Sequence, residues 1–592
     1  MNTLSGLLFA AFAALNPSDQ ALYDAVYAPK VTGLPPQTVL RDMCVMDDGE
    51  IRHYGAEKIG GSVRRVYASS LDRGLTWKTL IASEDDPGAM VKSPWSGEWI
   101  TISHKPKMRL IRSKTGPGGH DAVCQDLPFT FGYPRQPIAL KHRKRWICPV
   151  SEVTNSLDSA FASYRAVTLL SDDDGRTWRR TEPSKGLFIP PGAVPPDRSA
   201  RWANGPCEPS VAELRDGTLW MVTRTSVGNH YKYVSKDGGE TWEGPEKMAV
   251  FHSVNTMPLL MALSDGRLLM IWNNTQPLPQ PYLSEYPESR GKVGMGAKFV
   301  TNRDALHAAV SEDNGRTWKG FREILLNPIR NDADFRETGR EEPLENDKSV
   351  HQPQAVELPG GKILVAVGQN RRAQRFLVFD LRWLYERERF DDFRYGLGGL
   401  SNHLYVKGLM GNYRGWSGHC AFNRIPGAVL TREPDSSENT AREALQICRV
   451  RDRRLYSDKQ GVTWNFPALR KGRLEVECRI EGEGFRLTLA DRWFNPCDEL
   501  AGAYSPFTVA VTPRNFGRGE WKKLVVTWDF DAKEHHEIIA SVDGVEIAHE
   551  WLDKYLMPLI PEAGVSYLHI ITLAEDNDQK GAYFRSFSVK GT

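Results

Sequence analysis

No stretch of about 18 or more consecutive apolar residues occurs in the sequence, so nothing in it reads as a membrane-spanning helix. Nor does one charge dominate. Lys and Arg number 76 against 74 Asp and Glu, a formal net charge of +2. That balance gives no electrostatic reason to expect nucleic acid or an anionic membrane as partner. Cysteine is sparse and scattered: eight residues, with no Cys-x-x-Cys pair and no Cys/His cluster at zinc spacing. Buried free thiols are expected rather than a disulfide framework. No calcium-ligand motif appears, so neither a metal nor a cofactor is expected.

What is present is ordinary for a globular protein, with 40% hydrophobic and 25% charged residues. A chain of 592 residues is too long for one core and predicts two domains. The opening "MNTLSGLLFAAFAAL" supports two readings. It has the apolar core of a signal peptide, with "AFA" as cleavage site but no positive n-region. It also fits a short amphipathic helix ended by "NPSD". The first reading makes the protein periplasmic or secreted; the second leaves it cytoplasmic.

One phrase returns four times: "SLDRGLTW", "SDDDGRTW", "SKDGGETW" and "SEDNGRTW", starting at residues 70, 171, 235 and 311. Alternating stretches such as "HYKYVS" and "ALHAAVS" precede it, which marks hairpins. Its Asp can accept backbone N–H groups across the turn, Gly supplies positive φ, and Trp covers the hairpin. The phrase resembles the Asp box of sialidase-type β-propellers. That resemblance implies a structural role, joining the outer strands of a blade on the face away from the active site.

The box starts lie 101, 64 and 76 residues apart. A four-stranded blade takes roughly 40–50 residues, so the first gap predicts a further blade. "GEWITIS", "MRLIRS" and a decayed box at "KTGPGG" supply it. A sixth unit, "QAVELPGGKILVAVGQN" with "RFLVFDL", reads one strand short, and the N-terminal region is expected to lend the missing strand.

Several units also open on a proline: "KSP" (92–94), "RQP" (135–137), "CEP" (207–209), "TMP" (256–258) and "HQP" (351–353). First strands line a propeller's channel, so their starts and the ends of second strands should meet at one mouth. The first set gives Arg41, Asp42, Lys92, Arg135, Gln136, Glu208, Asn255, His351 and Gln352. The second gives His53, Glu57, His104, Lys105, Glu152, Arg224, Asn273, Asn274, Asn370 and Arg371. So many charged and amide groups predict a polar ligand. His53 is read as a packing histidine. Asn273 and Asn274 are open to a second reading, as turn formers.

"CEPSVAELRDGTLWMVTRT" is similar to the sialidase segment whose glutamate polarises a tyrosine nucleophile, and the resemblance gives Glu208 that place. The remaining family positions depart from the pattern. "PPQTVLRDM" replaces the Arg-Ile-Pro opening of blade one, with Arg41 as stand-in, while "NRIP" at 423–426 lies beyond the propeller and is set aside. Glu57 in "HYGAEKIGG" is the carboxylate nearest the acid/base position. "VGNHYKY" offers His230 and Lys232 where an arginine is expected, with Arg224 nearby; "HQP" replaces the tyrosine of the sixth blade. No complete arginine triad can be read.

Glu208, Glu57, Asp42 and His351 are therefore the candidate catalytic groups for an acid and a base across a glycosidic bond. Arg41, Lys92, Arg135, Gln136, Glu152, Arg224, Asn273, Gln352 and Arg371 are the candidate substrate-binding groups. The resemblance implies an exo-acting glycoside hydrolase on a terminal acidic sugar of a glycan. Two alternatives stay open: a polysaccharide lyase with His351 as base, and a carbohydrate-binding propeller without catalysis.

Beyond residue 380 the texture changes. "LRWLYERERFDDF" has helical character, and short strands dominate from about 405, with "GEWKKLVVTWD" and "IIASVDGVEI" resembling concanavalin- or laminin-G-like β-sandwiches. No exposed aromatic platform is evident there, so buttressing is expected rather than sugar binding. The expected fold is all-β: an N-terminal segment (1–30), a six-bladed propeller (31–380), a helical or loop linker (381–404) and a jelly-roll-like β-sandwich (405–592).

Overall fold

The computed structural model describes residue 12 and residues 14–592 except 37–42, 105–106, 130–131, 154–163, 183–205, 226–227, 255, 277–302, 329–348, 369–370, 410–421, 438–441, 533–534 and 553–559. Almost all regular structure in it is β. Residues 1–11 and 13 of the signal-peptide region, and Arg41, Asp42, Lys105, Asn255 and Asn370, lie outside the described residues. "NPSD" starts a helix. Asn16 caps Pro17–Asp24 by accepting the Asp19 N–H at 2.9 Å, with proline at the first turn where no N–H is missed.

Six sheets follow one another along the chain, the first five each built from chain-consecutive strands. The second runs from Val91–Lys92 to Val123–Asp126, in the long gap between the first two boxes. The last consists of Gln354–Leu358, Lys362–Val367 and Arg375–Asp380, completed by Lys30–Gly33 from the other end of the propeller region. Lys30 pairs with Val378 and Val31 with Leu377, so the ring closes by mixing its two ends. This arrangement is a β-propeller, and its hydrophobic layers lie between blades. Ile51 and Ala68 of the first pack against Leu364 and Phe376 of the last, and Ile100 and Leu110 of the second against Trp146 and Val167 of the third.

The four boxes share one bonding pattern. In the first, Ser70 Oγ donates to Asp72 at 2.8 Å, Gly74 N donates to Ser70 Oγ at 2.8 Å, and Thr76 N donates to Asp72 at 2.9 Å. Trp77 Nε1 closes on Gly74 O at 3.1 Å, and its ring stacks on Phe376 at 3.7 Å. Asp173, Asp237 and Asp313 repeat the arrangement. The fifth residue needs positive φ throughout, 76° at Gly175 and 81° at Gly315, which is why glycine recurs there. In the decayed box, Asp121 reaches back to supply the carboxylate, accepting from Ser113 Oγ at 2.6 Å and Lys114 N at 2.7 Å.

The stretch read as a helical linker is only partly so. Leu381–Tyr385 forms a short 3-10 turn, but Glu388–Asp391 is a strand paired with Asp578–Gly591 of the C-terminal part. There an eight-stranded sheet faces a four-stranded one across a core holding Trp464, Phe466, Phe485, Trp528, Phe584 and Phe587. The propeller and C-terminal sheets meet through an apolar cluster, in which Ala305 packs with Trp493, Phe494 and Tyr567, and through buried polar contacts. Asn274 Nδ2 donates to Asp491 O at 2.8 Å, Asn465 Nδ2 to Phe321 O at 3.0 Å, and Tyr567 OH to Glu323 at 2.7 Å. Burial pushes the imidazole of His307, which touches Tyr567, down to about 3, so it packs there uncharged.

The seven described cysteines are free thiols, six of them buried.

Candidate functional site at the propeller mouth

Glu208 sits at a local irregularity. Cys207 pairs with Arg224 and Ser210 with Val222, so one extra residue bulges out between them. Pro209 within the bulge has no N–H to give the ladder. Glu208 itself is held at φ 44°, a region costly for a side chain with a Cβ. Its N–H donates to Ser151 Oγ at 3.2 Å, and its carbonyl accepts from Arg135 Nη2 at 3.3 Å. The re-aimed carboxylate accepts from Arg224 Nη1 at 2.8 Å, with Arg224 buried and Glu208 only 17% exposed. This partly desolvated, charge-assisted pair joins the start of one blade's first strand to the end of its second.

Arg135 spans the channel. Its Nη2 also donates to Pro258 O at 3.1 Å, tying blade three to blades four and five. Below it lies a cavity of about 290 Å³ lined by first-strand residues, among them Met43, Arg135, Gln136, Glu213, Leu260 and Gln354. Gln136 holds Met43 O at 2.8 Å. Two residues before Arg135, Tyr133 offers a phenol whose pKa is raised by burial and by the charge of Glu208. It stays protonated and can donate a hydrogen bond. The His104 ring lies 5.3 Å from it.

A second cluster lies between blades five and six. His351 is buried, its Nδ1 2.7 Å from Ser349 Oγ and its Nε2 3.2 Å from Arg303 Nη1. A guanidinium can only donate, so Nε2 is the acceptor in this contact. Beside Arg303, Asp304 accepts from Asn327 Nδ2 at 3.0 Å, from Arg424 Nη2 at 2.6 Å and from Tyr405 OH. The set-aside "NRIP" segment thus brings Arg424 against the propeller.

Other candidates occupy different places. Lys92 is on the opposite face: its strand is two residues long, so "KSP" enters the turn that follows. Lys92 Nζ pairs with Asp47 at 2.6 Å, and the neighbouring Ser93 donates to Asp174 of the second box at 2.6 Å. Glu57 lies within the strand Ile51–Ile59, opposite Arg64, where a loop is expected from sequence. Glu152 is held by Arg165 and by Arg180 at 2.8 Å. Asn273 is a tether: its amide donates to Ala305 O at 2.7 Å and Val350 O at 2.8 Å. Asn274 likewise reaches Asp491 instead of forming a turn. Gln352 is half-buried at φ 59°, and Arg371 is exposed. His53 packs on Phe376, with burial lowering its pKa to about 4, and His230 is buried against Thr223 O. Lys232 pairs with Glu246 at 3.1 Å and covers Trp220.

Sequence reasoning missed Tyr133, Arg303 and Asp304. Tyr133 carried a signal, since it shares a strand face with Arg135 by period-two alternation. Arg303 and Asp304 carried none.

Residues 121–365 match the family model of the BNR repeat-like domain. That match covers less than half of the chain and takes in three of the four boxes. No curated protein matches the sequence. Among solved structures, Trypanosoma rangeli sialidase in complex with sialic acid is 12% identical, covering 95% of this chain and 91% of its own, with a TM-score of 0.31. The NanB sialidase of Streptococcus pneumoniae is 12% identical over 63% of this chain and 73% of its own, TM-score 0.37. A Dyadobacter fermentans protein of unknown function is 16% identical over 60% and 97%, TM-score 0.35.

Proposed function

We propose that this sialidase-like protein is an exo-acting glycoside hydrolase that removes a terminal acidic sugar at the propeller mouth. The observation that carries the reading is the Glu208–Arg224 pair, set on a strained bulge and flanked by Arg135 and Tyr133. Guanidinium groups suit a sugar carboxylate or sulfate, a carboxylate suits the developing positive charge of glycoside cleavage, and a protonated phenol can donate to an oxygen. The propeller at 31–380 would supply this chemistry, with the sheets from about 405 onward as its buttress.

The lyase alternative fares less well on geometry. It needs the His351 imidazole free to take a proton, yet Arg303 donates to its Nε2. The test is product analysis on glycans with acidic and with neutral ends, in water enriched in heavy oxygen. Release of the acidic terminal sugar bearing one heavy oxygen supports hydrolysis. Unsaturated product without solvent oxygen would replace this reading with elimination, and release of neutral sugars alone would remove the acidic specificity.

A further inference from the structure

We propose that the edge of the eight-stranded C-terminal sheet carries a binding platform for a neutral sugar residue, centred on Trp551. The proposal stands apart from the chemistry of the propeller mouth and does not depend on it. Trp551 lies on the edge strand Val545–Leu552 and is 61% exposed, whereas Trp464 and Trp493 of the C-terminal part are fully buried. Successive residues of a strand point to opposite faces. Leu552 and, on the neighbouring strand, Ile538, Ala540 and Val542 enter the core, so Trp551, His549 and Glu537 face outward.

On that outer face two histidine rings cluster around Trp551. His549 stacks on Trp551 with centroids 4.7 Å apart, and His535 meets it edge-on at 5.7 Å. Glu537 stands directly across from Trp551 in register and lies 2.8 Å from His549 Nε2. Glu546 flanks the other ring nitrogen at 3.6 Å. An exposed aromatic surface beside hydrogen-bond acceptors matches a sugar ring, which presents C–H groups on a face and hydroxyls on its rim. The charge beside the platform selects the class. Two carboxylates accept from hydroxyls and repel a sugar carboxylate or sulfate, so the fitting occupant is an uncharged hexose or N-acetylhexosamine unit.

The test uses the full-length protein in affinity electrophoresis through gels holding a soluble β-glucan, a galactomannan, a xylan or polygalacturonate. The expected result is retardation by a neutral polymer and a loss of about tenfold or more in affinity in Trp551→Ala. Glu537→Gln should weaken binding less, and Glu208→Gln should leave it unchanged, which separates the platform from the mouth. Circular dichroism and the thermal midpoint of Trp551→Ala should match the parent, as expected for an exposed side chain. Three results would overturn the proposal: no neutral polymer retards the protein; only polygalacturonate does; or sedimentation shows that Trp551→Ala abolishes a dimer formed through this edge strand while glycan binding is untouched.

Discussion

Replacing Asp498 with asparagine should stabilise the protein at pH 8 and do nothing at pH 4. Asp498 is buried in the C-terminal part, and burial raises its carboxyl pKa from 3.8 to about 7; the Leu500 N–H, donating to Oδ1 at 2.9 Å, opposes that rise and Glu499 adds to it. In the unfolded chain the group titrates near 3.9. Between those values the folded state holds the proton that the unfolded state has released, so stability falls as pH rises and levels off above the folded pKa. About three pKa units at 1.36 kcal/mol each give an upper bound of ~4 kcal/mol. The amide introduced by Asp498→Asn would keep an acceptor for the Leu500 N–H without ionising. The assay is urea unfolding of parent and Asp498→Asn at pH 4, 6 and 8, following the C-terminal transition. The gap should be near zero at pH 4, open by pH 6 and plateau by pH 8. A pH-independent gap, or a variant less stable at pH 8, would refute the reasoning.

Arg224→Met should cost about 2–3 kcal/mol of stability, because it removes the guanidinium that pairs with a partly buried carboxylate, and Glu208→Gln in the same chain should restore part of it. A thermodynamic cycle from denaturant unfolding reads the coupling; strict additivity would mean the pair does not interact. Asp313→Ala removes bonds to Ser311 Oγ at 2.8 Å, Thr317 N at 2.9 Å and Thr317 Oγ at 2.6 Å, and should cost about 1–2 kcal/mol. Activity per folded molecule should hold, since the box only joins strands. A box variant that kept its stability and lost turnover would put chemistry on the wrong face.

The propeller was legible because its signal is local. Eight residues of box contain their own hydrogen-bond donors, acceptors and glycine, so the phrase announces the turn wherever it falls. Glu208 was legible for a similar reason: a proline beside it at a strand start marks a place where the ladder breaks. Lys92 shows the limit of that rule, because a proline cannot say whether it precedes a strand or follows a strand of two residues. Arg303 and Asp304 were out of reach, and "NRIP" was set aside with its Arg424, since 120 residues separate Asp304 from the arginine it holds and only the fold brings them together. The outward-facing Trp551 was hidden differently: alternation along an edge strand reveals its face only once the core side is known.

The central claim is that Glu208, held by Arg224, carries glycoside hydrolysis at this mouth. Its most direct test is turnover of a glycan with an acidic end by parent and Glu208→Gln in heavy-oxygen water, with matched circular dichroism spectra. The account predicts heavy-oxygen-labelled sugar from the parent and a rate lower by about 10²–10⁴-fold in the variant. A folded Glu208→Gln protein that released the labelled sugar at the parent rate would contradict it.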